Sequence, residues 1–166
     1  HRHPFSKERN VRKGLLDVVH SDVWGPTQTA TFRECWYDVT FIDDFSRYTW
    51  IFPMRMKSEV FTHFHKVKSE VEKKLAAMYD VFSQTEEEYF SEAFTTYLHQ
   101  EGIRQEFTCR KNWQILEVAR ARLNDKHMSK SYWAEAANTT VYLMNRCTTS
   151  RVHEVTHHEQ YYGNKP

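Results

Sequence analysis

The chain has 166 residues, 40% of them hydrophobic and 27% charged, which is enough for one domain with a real core. Its 4 Gly and 4 Pro exclude collagen-like, linker-rich and low-complexity sequence. No apolar run approaches the roughly 20 residues of a membrane span, and the net charge of +1 by itself suggests no partner.

Residues 1–13 carry five Lys/Arg against one Glu and read as a basic tail or linker. They contain no apolar signal-peptide stretch. Cys35, Cys109 and Cys147 are far apart and form no C-x-x-C pair, which fits a reducing compartment. The expectation is a nuclear or cytoplasmic chain rather than a secreted one, with no membrane partner. Residues 14–166 read as a single domain.

That domain begins with β-rich runs. Residues 15–24 read as a strand stopped by Gly25-Pro26. WYDVTFID (36–43) and TWIFPM (49–54) read as the second and third, with Asp43-Asp44 and Ser46 as turn residues between them. Then the period changes. From Ser58-Glu59, the residues Val60, Phe61, Phe64, Val67, Val71 and Leu75 recur at helical spacing to about residue 77. Residues 78–82 read as a fourth strand, 91–101 as a helix stopped by Gly102, and 103–108 as a fifth strand. Two helices follow, 113–123 and 131–147, with Trp133 and Tyr142 expected in the core. Three strands in a meander followed by strand–helix alternation predict a mixed α/β sheet covered by helices.

Charge is segregated along the chain. Residues 68–101 carry three Lys/Arg against eight Asp/Glu, and residues 102–131 carry seven against three. This is either a basic face for nucleic acid beside an acidic one, or two solvated helix faces.

Six segments in order carry a family resemblance. They are HSDVWGP (20–26), FIDDFSRYTWIFPMRMKSEVF (41–61), GIRQEFT (102–108), ILEVARARL (115–123), KSYWAEAANTTVYLMNR (130–146) and the closing YYGNKP. Together they resemble the integrase catalytic core of Ty1/copia-type retrotransposons. HRHPF at the start resembles the tail of the zinc-binding module that precedes such cores. The resemblance implies a ribonuclease H-like fold: a five-stranded mixed sheet, three antiparallel strands first, flanked by helices. It implies trimming of element DNA ends and their transfer into target DNA, the work of a polynucleotidyl transferase using Mg²⁺ or Mn²⁺.

That chemistry needs clustered carboxylates. Two metals roughly 3.5–4 Å apart stabilise the attacking and leaving oxygens of a phosphodiester, and hard cations prefer oxygen ligands. The resemblance assigns the first Asp of the family's Asp-Asp-Glu set to Asp22. The second Asp position holds Gln84, within VFSQTEEEY where the family has L-R-S-D-N-G-G-E-Y. A neutral amide brings an oxygen but no charge. By the same comparison the loop that carries the family Glu is missing where Phe107-Thr108-Cys109 passes directly to Arg110-Lys111-Asn112, and Cys109 occupies the Glu position at best. Asp80 lies within the predicted strand, Glu86–Glu88 read as a solvated acidic turn, and Glu117 lies about 12 Å further along a helix. Asp22 is therefore expected to be a vestigial metal ligand, with metal not held productively and catalysis lost.

Arg104, Arg110, Lys111, Arg120, Arg122 and Lys126, with Lys130, are the candidate nucleic-acid contacts, making DNA the expected partner of residues 104–130. A homodimer through an inherited surface is the other expected association. The alternative is a host-retained, non-catalytic module that binds nucleic acid or protein. The close histidine pairs, His1/His3, His63/His65 and His157/His158, read as surface residues, the last in a loop. Asp44 is expected to turn the chain with Ser46 or to pair with Arg47.

Overall fold

A computed structural model describes residues 14–75, 81–84, 91–107, 113–148 and 155–166. The predicted basic tail, Asp80, Glu86–Glu88, Cys109, Arg110 and Lys111 lie outside the described residues. Five strands form one sheet: β1 (Val18–Trp24), β2 (Tyr37–Asp43), β3 (Thr49–Met54), β4 (Val81–Gln84) and β5 (Arg104–Phe107). Their spatial order is β3-β2-β1-β4-β5. β1–β2 and β2–β3 are antiparallel; β1–β4 and β4–β5 are parallel. The parallel pairs need crossover connections, and helices supply them: α1 (Val60–Leu75) lies between β3 and β4 in the chain, and α2 (Glu92–Gln100) between β4 and β5.

Alternation sorts the strand residues between two faces. Val19, Val23, Val39, Phe41, Trp50 and Met54 join Phe64, Val67 and Val71 of α1 and Phe94 and Leu98 of α2 in one buried cluster. Its centre is aromatic: Phe64 lies 5.0 Å from Phe82 and 4.9 Å from Phe94. Full burial of each such ring is worth about 1.5–3 kcal/mol. The opposite face carries α3 (Trp113–Asp125) and α4 (Trp133–Arg146). There Ile51 packs with Ile115, Leu116, Ala119, Ala137 and Val141.

The helix ends follow their sequence signals. The Ser91 side chain accepts from Phe94 N at 3.2 Å, capping α2. Gly102, at φ 70°, takes the left-handed step after the helix. A short last helix, α5 (His157–Tyr162), starts with Thr156 and Glu159 in a reciprocal capping box.

Three expectations are corrected. His157 is not in a loop; it opens α5 and is buried. His63 is also buried, because its position on α1 faces Phe52 of β3, on which it stacks. Trp133 is buried as expected, but Tyr142 is 54% exposed. It lies on the outer side of α4, where the Arg146 guanidinium sits 3.7 Å from its ring centroid. Asp44 pairs with Arg47 at 3.0 Å, whereas the Ser46 turn belongs to Asp43.

Candidate active-site remnant and basic cleft

Asp22 sits near the end of β1, half-buried, with Thr40 of β2 as its cross-strand partner. The Thr40 hydroxyl donates to the Asp22 carbonyl at 3.4 Å. On the other side of β1, β4 runs parallel and pairs Ser21 with Gln84. Gln84 is thus the last residue of β4, one position off Asp22 in register. β1, β4 and β5 run in the same direction, so the chain leaves β4 and β5 at the sheet end where Asp22 lies.

One residue that sequence reasoning missed stands beside Asp22. Asp38, opposite Trp24 on β2, is diagonal to Asp22. Opposite residues of an antiparallel pair share a face, as do residues two apart. Asp22, Trp24, Thr40 and Asp38 therefore point to the α3/α4 side. Asp38 is 2% exposed, and its Oδ2 has no hydrogen-bond partner among the described residues. Burial, and then the charge of Asp22, push its pKa up to about 8. The signal in the sequence was weak: one of two acidic residues in the strand run YDVTFID.

Asp43 differs from Asp38 in being satisfied. It accepts from Leu16 N at 2.9 Å, Ser46 N at 2.8 Å and Ser46 Oγ at 2.6 Å. Its pKa is still raised, since burial outweighs those bonds. It ties the start of the domain to the β2–β3 turn and is a structural group.

The exit of β1 is tightly fitted. Gly25 has φ 127°, and a Cβ there would lie 2.6 Å from the Trp36 carbonyl oxygen, so only glycine fits. Beyond it a cleft of about 550 Å³ opens, lined by Trp24, Thr27, Arg120, Asn124, Lys130 and Trp133 among others. Trp24 and Trp133 meet edge to face at 5.8 Å. The Arg120 guanidinium lies 5.0 Å from the Trp24 ring centroid, a cation–π contact. Trp133 Nε1 donates to the Thr29 carbonyl at 3.1 Å, fixing the cleft wall.

The structure brings only part of the predicted basic set to this cleft. Arg120 and Lys130 line it. Arg122 is half-buried and Lys126 exposed near the end of α3, Lys126 with Asp125 at 3.2 Å. Arg104 is elsewhere: it opens β5 in the row of Val18 and Val81, three rows from the Ser21–Gln84 row, with Glu106 at 4.0 Å.

The described residues contain no group of three or more His, Cys, Asp or Glu side chains that could hold a metal ion. They do not match the donor set of a two-metal centre; what they offer is the Asp22–Asp38 pair. No described helix is long and apolar enough to cross a membrane.

Comparison with known proteins agrees with this architecture. No family model matches the chain. It is 35% identical, over 158 residues and 88% of its length, to the retrovirus-related Pol polyprotein from transposon TNT 1-94 of Nicotiana tabacum. It is 30% identical over 179 aligned positions, covering all of its length, to that from transposon RE2 of Arabidopsis thaliana. The chain spans 12% of each of these relatives. Among solved structures, the HTLV-2 integrase catalytic core domain in complex with magnesium, in its dimeric form, matches with a TM-score of 0.64 at 16% identity. That match covers 91% of this chain and 99% of the other. A simian T-cell lymphotropic virus intasome in complex with a PP2A regulatory subunit matches with a TM-score of 0.67 at 13% identity, over 94% of this chain and 60% of that one. Sequence relatives and sheet topology converge: the chain is similar to a segment of the retrovirus-related Pol polyproteins of transposons, and its fold is that of retroviral integrase catalytic cores.

Proposed function

We propose that this domain binds nucleic acid through the cleft at the end of β1 and does not join DNA ends. The observation that carries the binding half is the pairing of Arg120 with the Trp24 ring in a cleft that Lys130 and Asn124 also line. Cations there meet phosphates, and aromatic rings offer a stacking surface for bases. Arg122 and Lys126 extend the positive charge along α3; Arg110 and Lys111 would add to it from the segment between β5 and α3. The loss of joining follows from Gln84 at the end of β4 and the missing Glu-bearing loop. One carboxylate of the family set leaves Mg²⁺ or Mn²⁺ without the paired sites that phosphoryl transfer uses. Self-association into a homodimer, in the nucleus or cytoplasm, belongs to the same proposal; the dimeric HTLV-2 core supports it.

A salt series on duplex and single-stranded DNA tests binding. Log affinity should fall linearly with log salt, with a slope of about −0.7 to −0.9 per phosphate contacted. Changing Arg120, Arg122 and Lys126 together to Ala should weaken binding and flatten the slope. Affinity indifferent to both salt and these changes would refute the site. In a strand-transfer assay with Mg²⁺ or Mn²⁺, no product is expected. Joining that disappears in Asp22→Asn would show that the chemistry survives.

A further inference from the structure

We propose that Asp38 is a metal ligand, and that the chain holds one divalent cation between β1 and β2 through Asp22 and Asp38. The site differs in place from one spanning β1 and β4, where Gln84 stands.

Two observations meet here. The register puts Asp38 opposite Trp24 and diagonal to Asp22 on one face of an antiparallel pair. Diagonal partners have Cβ atoms about 7–8 Å apart or somewhat less. Two carboxylates reaching toward each other can share an ion bound at about 2.0–2.1 Å per oxygen. Second, Asp38 is 2% exposed, yet its Oδ2 has no hydrogen-bond partner among the described residues. A buried carboxyl oxygen left unbonded is costly unless something absent from the protein alone completes it. Asp43 on the same strand shows the usual solution, three donors gathered on one carboxylate. Asp22 is only half-buried, so the ion can enter from its side and keep water on its remaining positions.

One ion at this position does not restore a two-metal centre, so the inference stands apart from the loss of catalysis and from DNA binding. It is tested without DNA. Mn²⁺ is titrated into the full chain and followed by electron paramagnetic resonance of the free ion and by thermal melting. The expected result is one Mn²⁺ per chain, displaced by Mg²⁺, with a raised melting temperature. Asp38→Asn and Asp22→Asn should each weaken binding by about 10–100-fold or more, and Gln84→Ala should leave it unchanged. Asp38→Asn is nearly isosteric, and its far-ultraviolet circular dichroism reports whether it folds. If that variant does not fold, anomalous scattering from a Mn²⁺-soaked crystal of the unaltered chain decides, with an ion expected in contact with both carboxylates. Three results would overturn the proposal: no Mn²⁺ binding to the unaltered chain, binding indifferent to Asp38→Asn, or binding lost in Gln84→Ala instead.

Discussion

Folding disfavours the protonated form of His63. It is 8% exposed and stacks on Phe52 with centroids 4.8 Å apart and an interplanar angle of 14°. Burial, then the charge of Lys66, hold its pKa below the usual 6.5, with Glu59 opposing. Below pH 6.5 the unfolded ring takes a proton that the folded ring refuses. The unfolded state then binds more protons, so stability falls as pH drops from 6.5 toward the folded pKa. His63→Phe should remove this part of the acid sensitivity. Urea midpoints on either side of pH 6.5 check it; an equal drop in both proteins would refute the assignment. At this scale legibility was uneven. Asp22 stood out because HSDVWGP marks it. Asp38 did not, because its relation to Asp22 depends on the β1–β2 register, which the 25–36 connection sets and no local spacing encodes. His63 was misjudged for a related reason: the ring it covers lies on a strand, outside its own helix.

Besides its apolar packing, helix α4 is hydrogen-bonded to the sheet through the side chain of Asn145. Asn145 Oδ1 accepts from Thr49 N at 3.0 Å, and its Nδ2 donates to the Thr49 carbonyl at 2.9 Å. Both residues are buried, so the amide stands in for a neighbouring strand beside β3. Asn145→Ala leaves two buried backbone groups unpaired, at about 1–3 kcal/mol each. The expected loss is roughly 2–6 kcal/mol of unfolding free energy by denaturant titration; a change within about 0.5 kcal/mol, typical of a surface position, would contradict this. The long elements were legible because their periodicities are strong. α5 was not, although Thr156-His157-His158-Glu159 is a capping-box signature. Two adjacent histidines and a length of 6 residues hid it, since one turn and a half shows no period. Tyr142 was misplaced because helical spacing alone does not say how wide the buried stripe of α4 is.

At the scale of the molecule, one sheet carries both packed layers. The aromatic layer under α1 and α2 and the aliphatic layer under α3 and α4 share strands β1 and β3. Neither layer can melt without exposing the other's floor. Thermal unfolding followed by near- and far-ultraviolet circular dichroism should therefore give coincident single transitions; two separated midpoints would mean the layers unfold independently. The sheet also has two rims, β3 and β5. β3 contains Pro53, which has no N–H to give an incoming strand. β5 presents Arg104, 72% exposed, and Glu106, 37% exposed. Charge and an imide nitrogen both discourage edge-to-edge growth. Crowding alone should therefore not drive copies of this chain into fibrils through either rim.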